Sequence, residues 1–200
     1  IIEDATESLG AEYKGKKVGQ HGDIACFSFN GNKTITTGGG GMIVTDIEEW
    51  AHRARYLTTQ AKDDPIEYVH NEIGFNYRLT NIQAAMGVAQ MECLNDFVEK
   101  KRTIAAQYRR GLSDLECIEL MKTQPNTDPS YWLYSVLLRS GTYLEERKQF
   151  IKDLNEAGFG ARPLWRPLHL LPPYENCQSY LIENSVKLYH QGVSLPSSVG

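Results

Sequence analysis

Short apolar stretches separated by turn residues dominate the first 45 positions of the chain. Residues 24–29, Ile-Ala-Cys-Phe-Ser-Phe, lie between Gly22-Asp23 and Asn30-Gly31, which is typical of a buried strand. A second strand is predicted over residues 41–45, at the end of a run of four glycines. The opening Ile-Ile-Glu-Asp indicates the end of a further strand. The pattern therefore predicts neighbouring strands joined by glycine-rich turns.

Apolar residues that recur at intervals of three and four predict helices farther along the chain. The pattern is clearest at Ile82, Ala85, Met86 and Ala89, and Thr80 or Asn81 is expected to cap that helix. Other helices are predicted over residues 47–56 with Asp46 as the cap, 96–112, 144–156 and 179–191, and a strand over 131–138. Residues 58–75 and the proline-rich 162–174 are expected to be irregular. The later half therefore reads as a small α+β domain.

The composition limits the classes of molecule that this chain is expected to bind. The 200 residues include 21 Lys+Arg and 25 Asp+Glu, a net charge of −4, and contain no basic block for nucleic acid. The mean hydropathy of −0.43, without an apolar run of about 18 residues, argues against a membrane span. The four distant cysteines, Cys26, Cys93, Cys117 and Cys177, form neither a zinc motif nor a disulfide pattern. We therefore expect no metal site and a reducing, cytoplasmic location.

Lys33 differs from an ordinary surface lysine in its sequence context. It follows strand 24–29 across a short turn, and small hydroxyl residues and glycines follow it rather than further charges. An isolated lysine is most often a solvated charge, whereas a desolvated lysine amine becomes a nucleophile towards carbonyl carbon. The glycines match no nucleotide loop, because Asn32 separates Gly31 from Lys33 and Ile43 stands where a dinucleotide fingerprint needs glycine.

Asp4 and Ser28 are two further candidates. Asp4 ends the first apolar segment, and a carboxylate at the carboxyl end of a strand in an open α/β sheet faces the crevice where ligands bind. The alternative is that Asp4 caps a helix over residues 5–9, and the residues alone do not decide between the two. Ser28 lies 24 positions after Asp4 and five before Lys33. The three residues at these intervals form a specific pattern.

Several motifs follow one another in the same order as in a known family. They are Glu3-Asp4-Ala5, Gly22-Asp23, Phe27-Ser-Phe29, the stretch from Lys33 to Val44, and the stretch from Gly74 to Thr80 with Gln83-Ala-Ala85. In these motifs the chain resembles the DegT/DnrJ/EryC1/StrS sugar aminotransferases. Residues 4–8, 30–33 and 57–65 are most similar to the LegC/PglE-type branch, which acts on UDP-linked sugars.

The resemblance implies an α/β protein with part of the fold type I (aspartate aminotransferase) architecture of pyridoxal phosphate (PLP)-dependent transferases. Residues 1–95 would be the C-terminal part of the PLP-binding large domain, including the end of its sheet. Residues 96–200 would be a truncated, small C-terminal α+β domain. Because family members are about twice as long, the chain is expected to be a fragment without the N-terminal half, and inactive as an isolated piece.

The resemblance also implies an activity. The family's UDP-sugar branch transfers an amino group, with glutamate as the expected donor, to C4 of a UDP-linked 4-keto-6-deoxy-N-acetylhexosamine for surface glycans. The expected partners are the nucleotide sugar, the amino acid donor and a second copy of the chain in a homodimer. Relatives that use the cofactor for C3 deoxygenation carry histidine in place of the reactive lysine, so Lys33 argues against that reaction. A non-catalytic nucleotide-sugar or anion-binding module remains the alternative from another class.

Each candidate residue has a role that the resemblance implies. Lys33 would bind PLP as a Schiff base and move the proton during transfer, and Asp4 would face the pyridine nitrogen. Ser28 would donate to the cofactor phosphate, although a hydroxyl bonded to nearby backbone is the alternative. Asn76 would reach the phosphate in the neighbouring subunit. Glu7 would lie near the cofactor ring, where many relatives carry glutamine or histidine.

A second set of residues is expected near the substrate. Arg78 would lie in the same segment as Asn76, or serve there as a structural charge. His169 belongs to a proline-rich segment similar to one that borders the substrate pocket in relatives. Trp165 and Arg166 in that segment could stack on or pair with a nucleotide sugar, since arginine suits phosphate, or could pack the small domain.

Overall fold

Five strands precede three consecutive helices, and strands and helices follow in mixed order, in the computed structural model, which describes residues 1–139 and 143–199. The strands are β1 (Ile2–Asp4), β2 (Glu12–Tyr13), β3 (Lys16–Lys17), β4 (Ile24–Ser28), β5 (Gly41–Val44), β6 (Ile118–Leu120), β7 (Thr127–Asp128), β8 (Tyr134–Leu138), β9 (Arg162–Pro163) and β10 (Gly192–Leu195). The α-helices are α1 (Glu48–Thr58), α2 (Asn81–Glu92), α3 (Leu94–Leu112), α4 (Tyr143–Glu156) and α5 (Glu183–Gln191). Two single 3₁₀ turns lie at Leu168–Leu170 and Pro172–Tyr174.

The chain divides into two compact units. The first contains Ile1–Lys100 and Thr123–Trp132, and the second contains Lys101–Lys122 and Leu133–Gly200. Residues 123–132 belong to the first unit because β7 pairs with β2. The division between the units falls inside α3, and the boundary predicted after residue 95 also lies inside this helix. The predicted division did not place residues 123–132 in the first unit.

The sheet of the first unit has the order β1-β4-β5. Strands β1 and β4 are parallel, with Asp4 opposite Cys26, whereas β4 and β5 are antiparallel, with Ser28 opposite Gly41. Because parallel strands end at the same edge of a sheet, the last residues of β1 and β4 lie at one edge. Those last residues are Asp4 and Ser28. The predicted strands 24–29 and 41–45 are therefore present, and the opening Ile-Ile-Glu-Asp contains the predicted strand, over Ile2–Asp4.

Glu3 fastens β1 to the turn over residues 19–22. Its carboxylate accepts backbone N–H bonds from Gly19 at 2.6 Å, His21 at 3.0 Å and Gly22 at 3.2 Å. Burial by itself raises the pKa of Glu3, but the three N–H donors together hold it below its usual value of 4.5. The ionised form is therefore the one that stabilises the fold.

Replacing Glu3 with glutamine is expected to lower the free energy of unfolding by about 1–3 kcal/mol at pH 7, because a charged acceptor with three donors is lost. Since the folded pKa is depressed, this stabilisation is present above the unfolded pKa and disappears as the pH falls through the folded value. Urea unfolding at pH 7 and pH 3 (about one unit or more below the ordinary glutamate pKa) measures the difference. An equal loss at both pH values would contradict this assignment, and Glu48→Gln, at an exposed side chain, is the control.

The structure confirms one predicted helix cap and corrects another. The Thr80 hydroxyl accepts from the Gln83 N–H, and the Gln83 side chain accepts from the Thr80 N–H, so α2 begins with a reciprocal capping box. The prediction that Asp46 caps α1 is wrong, because Ile47 occupies the cap position and makes no side-chain cap bond. The hydroxyl of Thr45 instead accepts from the Ile47 N–H.

Helix α2 exposes its apolar residues. None of its side chains is buried, and Ile82, Met86, Val88 and Met91 are among the exposed large hydrophobic residues. The spacing that predicted the helix is that of a packing face, so the helix was predicted correctly, although the described residues leave this face exposed.

The second unit is a four-stranded sheet with helices. Its strands have the order β6-β8-β10-β9, and α4 and α5 contact each other and the sheet. Alternate residues of β8, Tyr134, Val136 and Leu138, are buried, as expected of one face of a strand. The predicted helix over 179–191 is shorter than expected, because α5 begins at Glu183 with Ile182 as its cap. Within the described residues, no helix combines the length and the apolar character that crossing a membrane requires.

Candidate active site

Lys33 lies in the loop that joins β4 to β5. The loop closes on itself, since the Phe29 N–H donates to the Gly40 carbonyl and the Thr37 N–H donates to the Phe29 carbonyl, both at 3.0 Å. Gly38 and Gly40 have φ angles of +78° and +84°, which side chains resist. A narrow turn at the start of the loop, with the Lys33 N–H donating to the Asn30 carbonyl at 3.0 Å, presents the lysine.

The side chain of Lys33 is largely buried, and its amine faces carboxylates. Only 13% of the side chain is exposed, and Nζ lies 3.3 Å from Oε1 of Glu7. Glu7 is half exposed, so this ion pair contributes little to stability. The structure therefore brings two predicted site residues into contact and turns the Glu7 carboxylate towards the amine.

Asp4 completes a cluster of charges at the same sheet edge. Its Oδ1 accepts the Thr6 N–H at 3.2 Å. The pKa of Asp4 lies below its usual value of 3.8, first because of hydrogen bonds from Thr6 and, more weakly, because of the positive charge of Lys33. Asp4 is therefore ionised at neutral pH, and no helix follows it over residues 5–9. The alternative, that Asp4 caps a helix over residues 5–9, is therefore wrong.

Trp132 is a neighbour of Lys33 that sequence reasoning missed. The Lys33 Nζ lies 4.1 Å from the centroid of the Trp132 ring, which is 7% exposed. The indole N–H donates to the backbone carbonyl of Asn32 at 2.6 Å. The sequence feature that could have indicated Trp132 is the Ser130-Tyr-Trp132 segment before an apolar strand. A tryptophan in such a place is ordinarily a core residue, so this feature alone does not indicate a site.

Ser28 lies at the end of β4, as predicted, and its hydroxyl serves the local turn. Its Oγ accepts from the Asn30 N–H at 3.4 Å. This contact agrees with the structural alternative considered for Ser28 and leaves the hydroxyl hydrogen available as a donor.

Asn76 and Arg78 lie elsewhere in the first unit. They line a cavity of about 950 Å³ beside β5, together with residues of α1 and α2. Asp4, Glu7 and Lys33 are not among the residues that line it. The structure therefore does not bring Asn76 or Arg78 to the amine of Lys33 within this chain.

The remaining candidates belong to the second unit. Trp165 is 62% exposed. Arg166 is exposed, and His169 lies in the 3₁₀ turn Leu168–Leu170 with its Nε2 buried and without a hydrogen-bond partner in the described part of the chain. Residues 162–174 are irregular apart from β9 and the two 3₁₀ turns, in agreement with the prediction. Among the described residues, no group of histidine, cysteine and acidic side chains could hold a metal ion.

The cluster around Lys33 has a definite chemical capacity. A largely buried primary amine can attack a carbonyl carbon and can carry a proton. An ionised carboxylate on the neighbouring strand end can hold a proton on a basic ring nitrogen. The donor set at this edge, an amine, a carboxylate and a hydroxyl on Lys33, Asp4 and Ser28, therefore fits an aromatic aldehyde that carries a ring nitrogen and a phosphate.

Comparisons with known proteins agree with this chemistry. The sequence profile of the DegT/DnrJ/EryC1/StrS aminotransferase family matches residues 1–200. EpsN of Bacillus subtilis, named as a pyridoxal phosphate-dependent aminotransferase, is 42% identical over 98% of the chain and 51% of its own length. A GDP-perosamine synthase of Escherichia coli O157:H7 is 40% identical over 98% of the chain and 52% of its own length.

A solved structure gives the fold. Spr1654 of Streptococcus pneumoniae, named as a sugar aminotransferase and solved in its PLP form, superposes with a TM-score of 0.91 at 25% identity, covering 100% of the chain and 53% of that protein. The predicted partial fold type I architecture is confirmed. The chain spans about half the length of the relatives it matches. On these grounds the chain belongs to the DegT/DnrJ/EryC1/StrS aminotransferase family.

Proposed function

We propose that this chain carries the reactive lysine of a PLP-dependent aminotransferase that acts on a nucleotide-linked sugar. The observation that supports the proposal most directly is the largely buried Lys33 amine, 3.3 Å from Glu7 and electrostatically coupled to the ionised Asp4. Family membership supports the same conclusion, because DegT/DnrJ/EryC1/StrS aminotransferases depend on PLP. The predicted enzyme class and cofactor thus agree with the cluster found at this sheet edge.

Pyridoxal phosphate, when bound, supplies an electrophilic carbon and a ring that accepts electron density. Lys33 would bind that carbon and, once released from it, remove a proton from the donor and deliver one to the sugar carbon. Asp4 would keep a proton on the ring nitrogen, since its carboxylate stays ionised. Ser28 would donate its hydroxyl hydrogen to the phosphate from the end of β4.

Glu7 has a separate proposed role beside the ring. Its carboxylate lies at the lysine amine rather than turned away from the cluster. A carboxylate there compensates the ammonium charge of Lys33 before the cofactor binds.

The proposed acceptor is a nucleotide-linked 4-keto-6-deoxy sugar aminated at C4, with glutamate as the donor. The resemblance of residues 4–8 and 57–65 to the LegC/PglE-type branch favours a UDP-linked N-acetylhexosamine. The 40% identity to a GDP-perosamine synthase favours a GDP-linked hexose instead. Parallel assays with UDP- and GDP-linked 4-keto sugars decide between the two, because a nucleotide pocket discriminates through its polar contacts.

We also propose a homodimer in the cytoplasm, in which Asn76 reaches the cofactor phosphate of the partner. The exposed apolar face of α2 supports the association, because exposed apolar surface of this kind marks protein interfaces. The position of Asn76 away from Lys33 is compatible with a role in the other subunit. All four cysteines are free thiols, as suits a reducing compartment. Light scattering of the purified protein measures its mass.

The test of the proposed function is cofactor capture at Lys33. The protein at its natural full length, loaded with pyridoxal phosphate and reduced with borohydride, is expected to carry one pyridoxyl group on the peptide that contains Lys33. Adding glutamate before reduction is expected to prevent the labelling, because the amino group passes to the cofactor. Peptide mass mapping and the absorption spectrum report both results.

Two outcomes would contradict the proposal. Labelling spread over exposed lysines such as Lys17, and equal in the presence of glutamate, would show that no specific site exists. Binding of a nucleotide sugar without any label on Lys33 would support the alternative, a binding module without catalysis.

A further inference from the structure

The contact between Lys33 and Trp132 has no part in the chemistry described above. We propose that Trp132 is a positioning residue for Lys33: its ring holds the ammonium group at the sheet edge until the amine loses its charge. The effect of this contact on catalysis rests on the proposed function, but the contact itself can be tested without cofactor. It names a residue that neither the motifs nor the predicted site contains.

The geometry is that of a cation–π contact. The Lys33 nitrogen lies 4.1 Å from the ring centroid, inside the roughly 6 Å limit for such contacts. The contact is shielded from water, since the lysine side chain is 13% exposed and the tryptophan 7% exposed. Shielding strengthens the attraction, because water competes least for the ammonium group in such a place.

A hydrogen bond to the backbone fixes the Trp132 ring beside the lysine. The indole N–H donates at 2.6 Å to the carbonyl of Asn32, the residue directly before Lys33. The Asn32 side chain in turn accepts from the Asn30 side chain at 3.1 Å, and the Lys33 N–H donates to the Asn30 carbonyl. The turn that bears Lys33 is therefore also the turn to which the ring is bonded, and this places the amine over the aromatic face.

An aromatic ring differs from the carboxylates near Lys33 in one decisive property. Glu7 and Asp4 attract the ammonium group and can also accept its proton, whereas the ring attracts the charge and accepts no proton. The attraction disappears when the amine is neutral. Trp132 thus holds the ammonium group of the cofactor-free protein and releases the neutral amine, which is the form that attacks a carbonyl carbon.

The test compares two variants of Trp132. Trp132→Leu removes the aromatic face but keeps apolar bulk, and Trp132→Phe keeps the face but loses the indole N–H. The full-length protein, freed of cofactor, is treated with trace acetic anhydride, and the modification rate of each lysine is measured by mass spectrometry. Lys17, whose side chain is 63% exposed, is the internal reference in every sample.

In Trp132→Leu, Lys33 is expected to be modified about two- to thirty-fold faster relative to Lys17, the range corresponding to a cation–π contact. In Trp132→Phe, the rate is expected to stay within about threefold of the original, since phenylalanine is the weaker but still aromatic partner. Unchanged labelling of Lys33 in Trp132→Leu would overturn the proposal. An equal increase in both variants would also overturn it, because loosened packing rather than the aromatic face would be the cause.

Steady-state kinetics connect the contact to the reaction. With the unaltered protein active, Trp132→Leu is expected to lower kcat several-fold, with the KM for glutamate within about twofold, and Trp132→Phe to recover most of the loss. An inactive unaltered protein with the expected labelling pattern would refute the proposed function and leave the contact established. An active protein whose labelling ignores Trp132 would refute the positioning role alone.

Discussion

Replacing Lys33 with alanine is expected to lower the rate of amino transfer at least about 10²- to 10⁴-fold, the range that a positioned acid–base side chain contributes. The expectation is large because one amine serves twice, as the group that binds the cofactor and as the carrier of the proton. Only 13% of this side chain is exposed, so water does not easily take its place. Stopped-flow absorbance with glutamate in the first half-reaction, and with the keto sugar in the second, measures the effect on each half.

The variant Lys33→Arg distinguishes the positive charge of the side chain from its ability to carry a proton. Arginine keeps a cation that can face Trp132 and Glu7, but it stays protonated and cannot carry the proton. We therefore expect Lys33→Arg to be as inactive as Lys33→Ala while unfolding at nearly the original temperature. Lys17→Ala, at an exposed lysine, is the matched control and should retain full activity. Activity of Lys33→Arg within tenfold of the original protein would contradict the role assigned to the amine.

Replacing Asp4 with asparagine is expected to lower kcat/KM about 10- to 100-fold, as expected when a hydrogen bond to a charged group is lost. Asparagine keeps an oxygen that can accept the Thr6 N–H, now 3.2 Å from Oδ1, so the shape of the strand end persists. It lacks the negative charge that would hold a proton on the cofactor ring. Measurement of kcat/KM for glutamate, with an absorption titration for cofactor affinity, separates catalysis from binding.

The controls for Asp4 use charge and pH. Asp46→Asn changes an exposed aspartate beyond β5 and should leave both quantities unchanged. Because the pKa of Asp4 lies below 3.8, lowering the pH from about 8 to 5 should not imitate the substitution. Unchanged kcat/KM in Asp4→Asn would remove Asp4 from the proposed site.

The features that the sequence predicted depend on residues that lie close together in the chain. The strand around Phe27 depends on apolar residues between turn residues, and the cap at Thr80 depends on Gln83 three positions later. The predicted cap at Asp46 failed because the helix begins one residue later than expected, with Ile47 at the cap position, and the Ile47 N–H donates to Thr45, one position before Asp46. Competition between adjacent polar side chains is decided by backbone geometry, which residue type alone does not specify.

The residues of the candidate site show the same difference between local and distant interactions. Lys33, Asp4 and Ser28 were proposed from the residues and their spacing, because Asp4 and Ser28 end strands, Lys33 follows the second strand across a short turn, and the strand pattern is local. Trp132 was missed because its partner Asn32 lies 100 positions away in the chain, and no local rule relates a tryptophan to a distant turn.

The sequence by itself thus predicted strands β1, β4, β5 and β8, the five helices, Lys33 as the candidate reactive residue and the membership of a family of aminotransferases. Only the tertiary structure decided that Glu7 faces the amine and that Trp132 lies against it at 4.1 Å. It also decided that β7 returns to β2. The reason is that apolar spacing and capping act between neighbours in the chain, whereas ion pairs, ring contacts and strand pairing depend on which distant segments the folded chain brings together.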